Sequence, residues 1–201
     1  MKRRPLNPLA LALVAVMTSI TFVLTYLVRV PTPGRGYVHL GDAGVFFAAL
    51  AFGPWIGAVS GGLGTLLSDV VAGYPQWAPF SLLIHGLQGW VVGWVWSRWQ
   101  VLIRWARSTS AQHAQQQAPM RRLWSLLPGA VAMAGLLFSA VLGGLIVVGG
   151  YFGAGLPLTG VGAAVGDVPF NIAQVTAGAL IGVPLYLLVR AAYPPINRWS
   201  G

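Results

Sequence analysis

The feature that most constrains this chain is a series of apolar runs, each about as long as a bilayer is thick. A membrane-spanning helix needs roughly 20 apolar residues, and runs of this kind recur between short Gly/Pro-rich or polar breaks. Only 7% of the 201 residues are charged, against about a quarter in soluble domains. The chain therefore has too little polar surface to cover a globule in water. The continuous runs, which do not alternate as barrel strands do, predict an all-α membrane protein.

Break signals divide this single integral membrane domain, residues 1–201, into a predicted six-helix transmembrane bundle. Gly53 and Pro54 form the least obvious break, because apolar residues continue on both sides. Residues 98–122 are expected to form a basic cytoplasmic loop or surface helix, and residues 149–166 a glycine-rich loop. The predicted helices cover about residues 8–28, 42–52, 55–71, 80–96, 126–148 and 168–189.

The arginines predict the orientation of the bundle, since short basic loops stay in the cytoplasm. The N-terminal residues and the 98–122 segment are both basic, so an even number of crossings separates them. Two further spans return Arg190 and Arg198 to the cytoplasm, and both termini are expected there. Only Arg29 and Arg35 then face outward. The net charge of +9 is explained by this topology and indicates no nucleic-acid partner. The expected location is the plasma membrane of a prokaryote.

The same topology collects the polar residues at the outer ends of the spans. All three carboxylates of the chain, Asp42, Asp69 and Asp167, fall there. Polar residues at membrane depth are costly unless they face partners or a cavity, so the cluster suggests a pocket for a small polar aromatic ligand. Interfacial anchoring, helix capping and pairing with outer arginines are alternative explanations for single residues. The other members at this level are His39, Tyr74, Gln76, Trp77, Tyr151 and Asn171, with His85, Gln88 and Gln174 one or two turns deeper.

The motifs of common enzyme classes do not occur in the sequence. The chain has no cysteine, which excludes disulfides and thiolate metal sites, and it contains no HExxH, GxSxG or Walker P-loop. We therefore expect no catalytic residue, no metal and no cofactor. Two alternatives to a binding subunit stay open. One is a stand-alone ion-coupled secondary transporter of a small heterocycle, which the lack of an obvious inverted repeat disfavours, and the other is a membrane enzyme or assembly factor.

Two segments of the chain resemble a known family. Residues 40–89 read LGDAGVFFAALAFGPWIGAVSGGLGTLLSDVVAGYPQWAPFSLLIHGLQG, and residues 169–189 read PFNIAQVTAGALIGVPLYLLV. Together these segments resemble the substrate-binding S components of energy-coupling factor (ECF) vitamin transporters, in the riboflavin-type or hydroxymethylpyrimidine-type branch. They cover about a third of the chain. The arginine-rich middle segment matches nothing in this family.

The resemblance implies six helices, a vitamin or vitamin precursor bound at the outer face, and energy supplied by other proteins. These partners are a transmembrane coupling protein and two cytosolic ATPase subunits. The ligand expected for this chain is a thiamine-precursor pyrimidine, with riboflavin next. The docking motif of the first helix is matched nearest by Ala15 and Ser19, although these small residues could equally serve internal packing. The resemblance places the substrate-binding candidates at Tyr74, Trp77, His85, Gln88, Asp167, Asn171 and Gln174, with His39, Asp42 and Asp69 as a possible rim.

Overall fold

The chain folds into six helices and one small β-hairpin in a computed structural model, which describes residues 8–115 and 121–193. Four of the described helices, α1, α3, α5 and α6, are long and apolar enough to cross a bilayer. Helix α2 is shorter and α4 is more polar. The elements in chain order are α1 (Pro8–Leu27), β1 (Arg29–Pro31), β2 (Tyr37–His39), α2 (Gly41–Phe52), α3 (Pro54–Ala72), α4 (Ala78–Gln115), α5 (Arg121–Thr159) and α6 (Val161–Ala192).

The predicted break between the second and third helices is present. Helix α2 ends at Phe52, and Gly53 adopts a left-handed φ of 86° that a residue with a side chain rarely takes up. Pro54 then opens α3 at the first helical position, where its missing N–H has no partner to lose. The chain therefore reverses direction within one residue, as the parity of the basic segments requires.

Two predicted connecting segments are largely helical. The segment 98–122, expected to form a loop or a surface helix, continues α4 as far as Gln115, and α5 begins at Arg121, so its described part is helical. The expected 149–166 loop is wrong, because only Gly160, with φ of 85°, separates α5 from α6. Glycine is tolerated in membrane helices because no water competes for their backbone hydrogen bonds. The predicted cytoplasmic termini include residues 1–7 and 194–201, which lie outside the described residues.

Helix α2 lies at the centre of the bundle. It packs against α1, α3, α4 and α6, and most of its side chains, Phe46 and Leu50 among them, are buried. Its 12 residues span only about 18 Å, less than the hydrocarbon thickness of roughly 30 Å. The surrounding helices thus shield α2 from lipid, and its first turn lies where the hairpin covers the bundle.

Glycines bring the helix backbones together at two places. A methyl group on Gly89 of α4 would overlap the carbonyl of Gly57 on α3, and one on Gly182 of α6 would lie 2.6 Å from the Ala43 carbonyl oxygen on α2. Small residues permit such close approach in lipid. The small-residue spacings visible in the sequence therefore serve helix packing at these positions, and they set the distances across which polar side chains meet.

The β-hairpin closes one end of the bundle. Strand β1 pairs antiparallel with β2, with Val30 opposite Val38. The turn between them is held by the Thr32 N–H, which donates to the Gly36 carbonyl at 3.1 Å. The hairpin packs against α1 and α6. It forms the outer wall of the polar region described below.

The contact between α3 and α4 predicts a difference between two neighbouring glycines. We expect Gly89→Ala to lower the apparent melting temperature of the detergent-solubilised protein, because the added methyl group meets backbone atoms and overpacking costs about 1–3 kcal/mol. Gly86→Ala is the matched control on the same helix, since its methyl group would lie 3.6 Å from the nearest atom. Equal melting temperatures for the two variants would contradict the close α3–α4 packing.

Candidate ligand-binding site beneath the hairpin

A small cavity lies beneath the hairpin. Its volume is about 20 Å³, which leaves room for about one water molecule. Any organic ligand therefore needs the surrounding wall to move before it can enter. The hairpin, α3, α5, α6 and the residues at the start of α4 all contribute to the wall, which consists of Thr32, Gly36, Tyr37, His39, Asp69, Trp77, Ser81, Tyr151, Asp167 and Asn171.

Two of the predicted ligand contacts also hold the hairpin in place. The Gly34 N–H donates to Asp167 Oδ1 at 2.8 Å, and a side chain on Gly34 would overlap that carboxylate. The Trp77 indole Nε1–H donates to the Arg35 carbonyl at 3.3 Å. Both Asp167 and Trp77 line the cavity. The outer wall is thus fastened to α6 on one side and to the segment preceding α4 on the other.

Asp69 presents an unpartnered carboxylate oxygen to this region. The Tyr37 hydroxyl donates to Asp69 Oδ1 at 2.7 Å. Asp69 Oδ2 is buried and accepts no hydrogen bond of good geometry from the described residues, with the Ser81 hydroxyl as a nearby donor. Burial, and then the negative charge of Asp69, raise the pKa of the Tyr37 hydroxyl, so the phenol stays a proton donor. A buried acceptor without a donor costs free energy, which suggests that a ligand N–H or O–H group completes this site.

His39 offers the opposite hydrogen-bonding character. Its Nδ1 accepts the Gly41 backbone N–H at 3.1 Å, so the proton of the neutral ring must reside on Nε2. Burial, and then His85, lower the pKa of the His39 imidazole, which keeps the ring neutral. His39 therefore contributes an N–H donor of fixed tautomer, and both His39 and Asp69 belong to the cavity wall.

Behind the cavity, two glutamines hold the carboxylate of Asp42. Gln88 Nε2 donates to Asp42 Oδ1 at 2.7 Å, and Gln174 Nε2 donates to Asp42 Oδ2 at 2.8 Å. The Gln174 carbonyl oxygen in turn accepts the backbone N–H of His39 at 3.0 Å. Asp42 is fully buried in the first turn of α2, where the helix dipole favours a negative charge.

His85 links this buried layer to the cavity wall. Its Nδ1 lies 2.9 Å from the Gln88 carbonyl oxygen and must donate to it, because the amide nitrogen of Gln88 is directed at Asp42. The other ring nitrogen, Nε2, lies 3.1 Å from the Tyr151 hydroxyl, which is 2.7 Å from Ser81 Oγ. A continuous chain of hydrogen bonds therefore runs from Asp42 to the hydroxyl groups that line the cavity.

The predicted site residues are thus arranged in layers. Trp77, Asp167 and Asn171, with His39 and Asp69 from the rim, line the cavity. His85, Gln88, Gln174 and Asp42 lie buried behind it, and Tyr74 packs its ring against Tyr37 at 4.9 Å. Sequence reasoning missed Thr32, Gly36, Tyr37 and Ser81 as wall residues.

Signals for two of the missed residues were present in the sequence. Tyr37 alternates with His39, so both share one face of a strand. Ser81, His85 and Gln88 have the spacing that places side chains along one helix face.

His39, Asp42 and His85 also form a cluster that could suggest a metal site. Their candidate ligand atoms lie within 4.8 Å of one another. However, Asp42 Oδ1 and the ring nitrogens of His85 already take part in hydrogen bonds. The bond from Gly41 places the only proton of neutral His39 on Nε2, which leaves that ring without a free lone pair. The three residues therefore belong to one hydrogen-bond network.

Comparison with known proteins identifies the family. The sequence profile described as "ECF-type riboflavin transporter, S component" matches residues 6–191. The chain belongs to this S-component family. It is therefore a substrate-binding subunit of an ECF transporter and a multi-pass protein of the prokaryotic plasma membrane, as the sequence predicted.

Two curated proteins and one solved structure are similar to this S component. It is 33% identical to an uncharacterised protein of Pyrococcus woesei over 175 residues, which cover 87% of this chain and 97% of the relative. It is 30% identical to the thiamine precursor transporter HmpT of Lactococcus lactis subsp. cremoris over 190 residues, covering 94% of this chain and 87% of HmpT.

The structure of the S component of a bacterial ECF transporter matches with a TM-score of 0.55 and 16% identity, covering 92% of this chain and 96% of the other. At this identity the match supports the fold alone, and it confirms the predicted all-α membrane fold.

The neutral state of His39 predicts how the stability of this S component depends on pH. The unfolded imidazole takes up a proton near its ordinary pKa of 6.5, and the folded ring does so only at lower pH. The contribution of His39 to stability is therefore complete above pH 6.5 and is lost as the pH falls below it, with a limiting slope of about 1.4 kcal/mol per pH unit for one proton.

His39→Asn keeps an acceptor for the Gly41 N–H but cannot take up a proton. We expect its melting temperature to fall less steeply between neutral and mildly acidic pH than that of the unaltered protein, as measured by thermal unfolding in detergent. Parallel curves for the two proteins would show that His39 does not titrate on unfolding.

Proposed function

We propose that this S component captures an aminopyrimidine precursor of thiamine at the hairpin end of the bundle and delivers it to an ATP-driven import complex. The proposal is carried by two residues of the cavity lining, Asp69 with its unpartnered Oδ2 and His39 with an Nε2–H of fixed tautomer. An aminopyrimidine has the complementary edge, with an amino N–H beside a ring nitrogen lone pair. Donation to Asp69 and acceptance from His39 would satisfy both protein groups.

The aromatic lining supports a flat ligand. The rings of Trp77 and Tyr151 lie 5.9 Å apart at an angle of 57°, and the half-buried Tyr151 hydroxyl and the Asn171 amide add polar groups at the edge. Pockets of this composition bind heterocycles through stacking and a few directed hydrogen bonds. The 30% identical relative bears the name thiamine precursor transporter, which favours the same class of ligand.

Riboflavin is the second candidate ligand, favoured by the family description. Its three-ring system is larger than a pyrimidine, so the cavity of about 20 Å³ would have to expand further to hold it. The two ligands also differ in how they would use Asp69, because the flavin edge presents an imide N–H between two carbonyl oxygens. Direct comparison of the two compounds decides between them.

The binding prediction concerns Asp69. We expect Asp69→Asn to weaken binding of the hydroxymethyl aminopyrimidine by roughly 10–100-fold, because a hydrogen bond to a charged acceptor contributes about 1.5–3 kcal/mol. Trp77→Ala and Asn171→Ala should also weaken binding, through lost stacking and a lost amide contact. The measurement is isothermal titration calorimetry on the purified protein, with riboflavin titrated in parallel.

Gln100→Ala serves as the control for this series, because Gln100 lies on α4 beyond the wall residues and its amide nitrogen has no partner among the described residues. It should bind as tightly as the unaltered protein. Undiminished affinity in Asp69→Asn would remove the proposed contact. Tight binding of riboflavin alone would assign the pocket to a flavin.

Transport itself is proposed to require the coupling protein and two ATPase subunits, without catalysis by this chain. The chain contains no nucleotide-binding motif, so a stand-alone carrier would need an ion gradient. On α1, Ala15 and Ser19 are exposed, and the Ser19 hydroxyl is turned back onto the Ala15 carbonyl at 2.9 Å. This leaves a slim helix surface that fits close contact with the coupling protein.

Enlarging that surface tests the docking proposal. We expect Ala15→Leu combined with Ser19→Leu to reduce ATP-driven uptake in proteoliposomes containing all four subunits at least tenfold, while ligand binding by the isolated subunit stays unchanged. Gly149→Leu is the control, since Gly149 is exposed and a Cβ atom there would meet no other atom within 4 Å. Full uptake by the double variant would exclude this face. Uptake by the isolated subunit along an ion gradient would instead support the secondary-transporter alternative.

A further inference from the structure

Helices α4 and α5 are longer than a bilayer requires. Helix α4 has 38 residues and α5 has 39, which corresponds to about 57 Å each at 1.5 Å per residue, against a hydrocarbon core of roughly 30 Å. Helix α4 starts at Ala78, beside the cavity wall. Its excess length therefore extends from the opposite end of the bundle, starting near Arg98.

This extension is packed against the beginning of α5. The Trp99 indole N–H donates to the Val131 carbonyl at 2.8 Å, and Ser110 Oγ donates to the Trp124 carbonyl at 2.6 Å. The rings of His113 and Trp124 stack with their centroids 4.1 Å apart. The two helix ends thus form an ordered pair, which we call the inner hairpin and define as residues 98–115 and 121–131.

One face of α4 carries aromatic, basic and apolar side chains in a row. Trp94, Arg98, Leu102 and Trp105 recur at helical spacing, and all four are exposed, Trp105 by 59%. The Arg98 guanidinium lies over the Trp94 ring at 5.6 Å from its centroid, and Trp94 stacks on Trp90 at 6.1 Å. The row is continuous with the lipid-facing side of the span.

The charge on this surface has a single sign. Residues 98–131 contain five arginines, at positions 98, 104, 107, 121 and 122, and no carboxylate. Arg104 is exposed at the edge of this row, about 100° around the helix from Trp105, whereas Arg107 lies on the far side of α4, about 180° from Arg98. Arginines 98–107 therefore have no acidic neighbour on their own segment, and a negatively charged partner from outside the chain would complement them.

The depth of the row matches the headgroup layer of a bilayer. The rise from Arg98 to Trp105 is about 10 Å, and the headgroup region on each side of the hydrocarbon is roughly 5–8 Å thick, within reach of an extended arginine. Tryptophan is enriched at this level, and guanidinium groups bind phosphate through two parallel hydrogen bonds.

We infer that this face of the inner hairpin binds anionic phospholipids of the leaflet opposite the cavity. The headgroup phosphates pair with Arg98 and Arg104, and the acyl chains lie along Trp94 and Trp90. Because Trp90 and Trp94 continue the surface into the hydrocarbon layer, a lipid fits it better than an acidic soluble protein does. Helix α1 packs on α2 and α3, whereas α4 packs on α3 and α5, so the lipid surface is separate from the docking surface on α1. The inference does not rest on the proposed ligand.

The test compares lipid retention by the unaltered protein and by Arg98→Gln/Arg104→Gln. Both are reconstituted in nanodiscs that contain equal amounts of phosphatidylcholine and phosphatidylglycerol, and retained lipids are counted by native mass spectrometry. We expect the unaltered protein to be enriched in phosphatidylglycerol. Neutralising each arginine should reduce the apparent affinity of the protein for phosphatidylglycerol about fivefold, since a basic residue near an anionic membrane contributes about 1 kcal/mol.

Arg98→Lys/Arg104→Lys is the matched control, which keeps the charge and should retain most of the enrichment. Soluble glycerol phosphate added in excess distinguishes a lipid from a free phosphate ligand, because only the latter would be displaced. Equal retention of the two lipids by the unaltered protein would overturn the inference. Unchanged phosphatidylglycerol retention in the glutamine variant would also overturn it. If the glutamine variant in addition failed to bind the coupling protein, the face would be a protein-docking surface.

Discussion

The buried carboxylate of Asp42 is the constraint around which the polar end of this S component is arranged. A charge within a helical bundle is costly unless hydrogen bonds satisfy it, and here two glutamine amides from α4 and α6 donate to its two oxygens. Since one of these glutamines also accepts the backbone N–H of His39, the same interaction joins three helices to the hairpin. The position of the cavity follows from that junction.

Glycine packing makes this junction possible. A methyl group on Gly178 would overlap the Cβ of Asp42, so α6 can approach α2 closely enough for Gln174 to reach the carboxylate only because residue 178 lacks a side chain. On the other side, a methyl group on Gly61 would lie 2.9 Å from the carbonyl oxygen of His85. Small residues and buried polar groups, which the sequence presents as separate patterns, therefore act together.

The number of helices and the end of the bundle that carries the candidate site could be predicted from the sequence. Which side chains line the cavity and which lie behind it could not. Gly53 and Pro54 mark a turn by local chemistry, and this turn is observed. The helical state of the segment beyond Arg98 was left open, because a polar, arginine-rich composition fits a loop as well as a surface helix. Gln88 and Gln174 lie behind the cavity, and Tyr37 and Ser81 line it. That order depends on distances between helices, which periodicity along one helix does not encode.

The hydrogen bonds around the cavity fall into two groups, one that can open and one that stays closed. The hydrogen bonds that fasten the hairpin turn, from Gly34 to Asp167 and from Trp77 to the Arg35 carbonyl, lie in front of the cavity. The bonds of Asp42 lie behind it and are fully buried. Breaking the two front bonds exposes backbone groups that water can satisfy, whereas breaking the rear bonds would leave a carboxylate unpaired in a medium without water. A ligand therefore enters a space of about 20 Å³ most easily when the hairpin turn is displaced. The acceptor on Asp69 and the donor on His39 keep their positions when this happens.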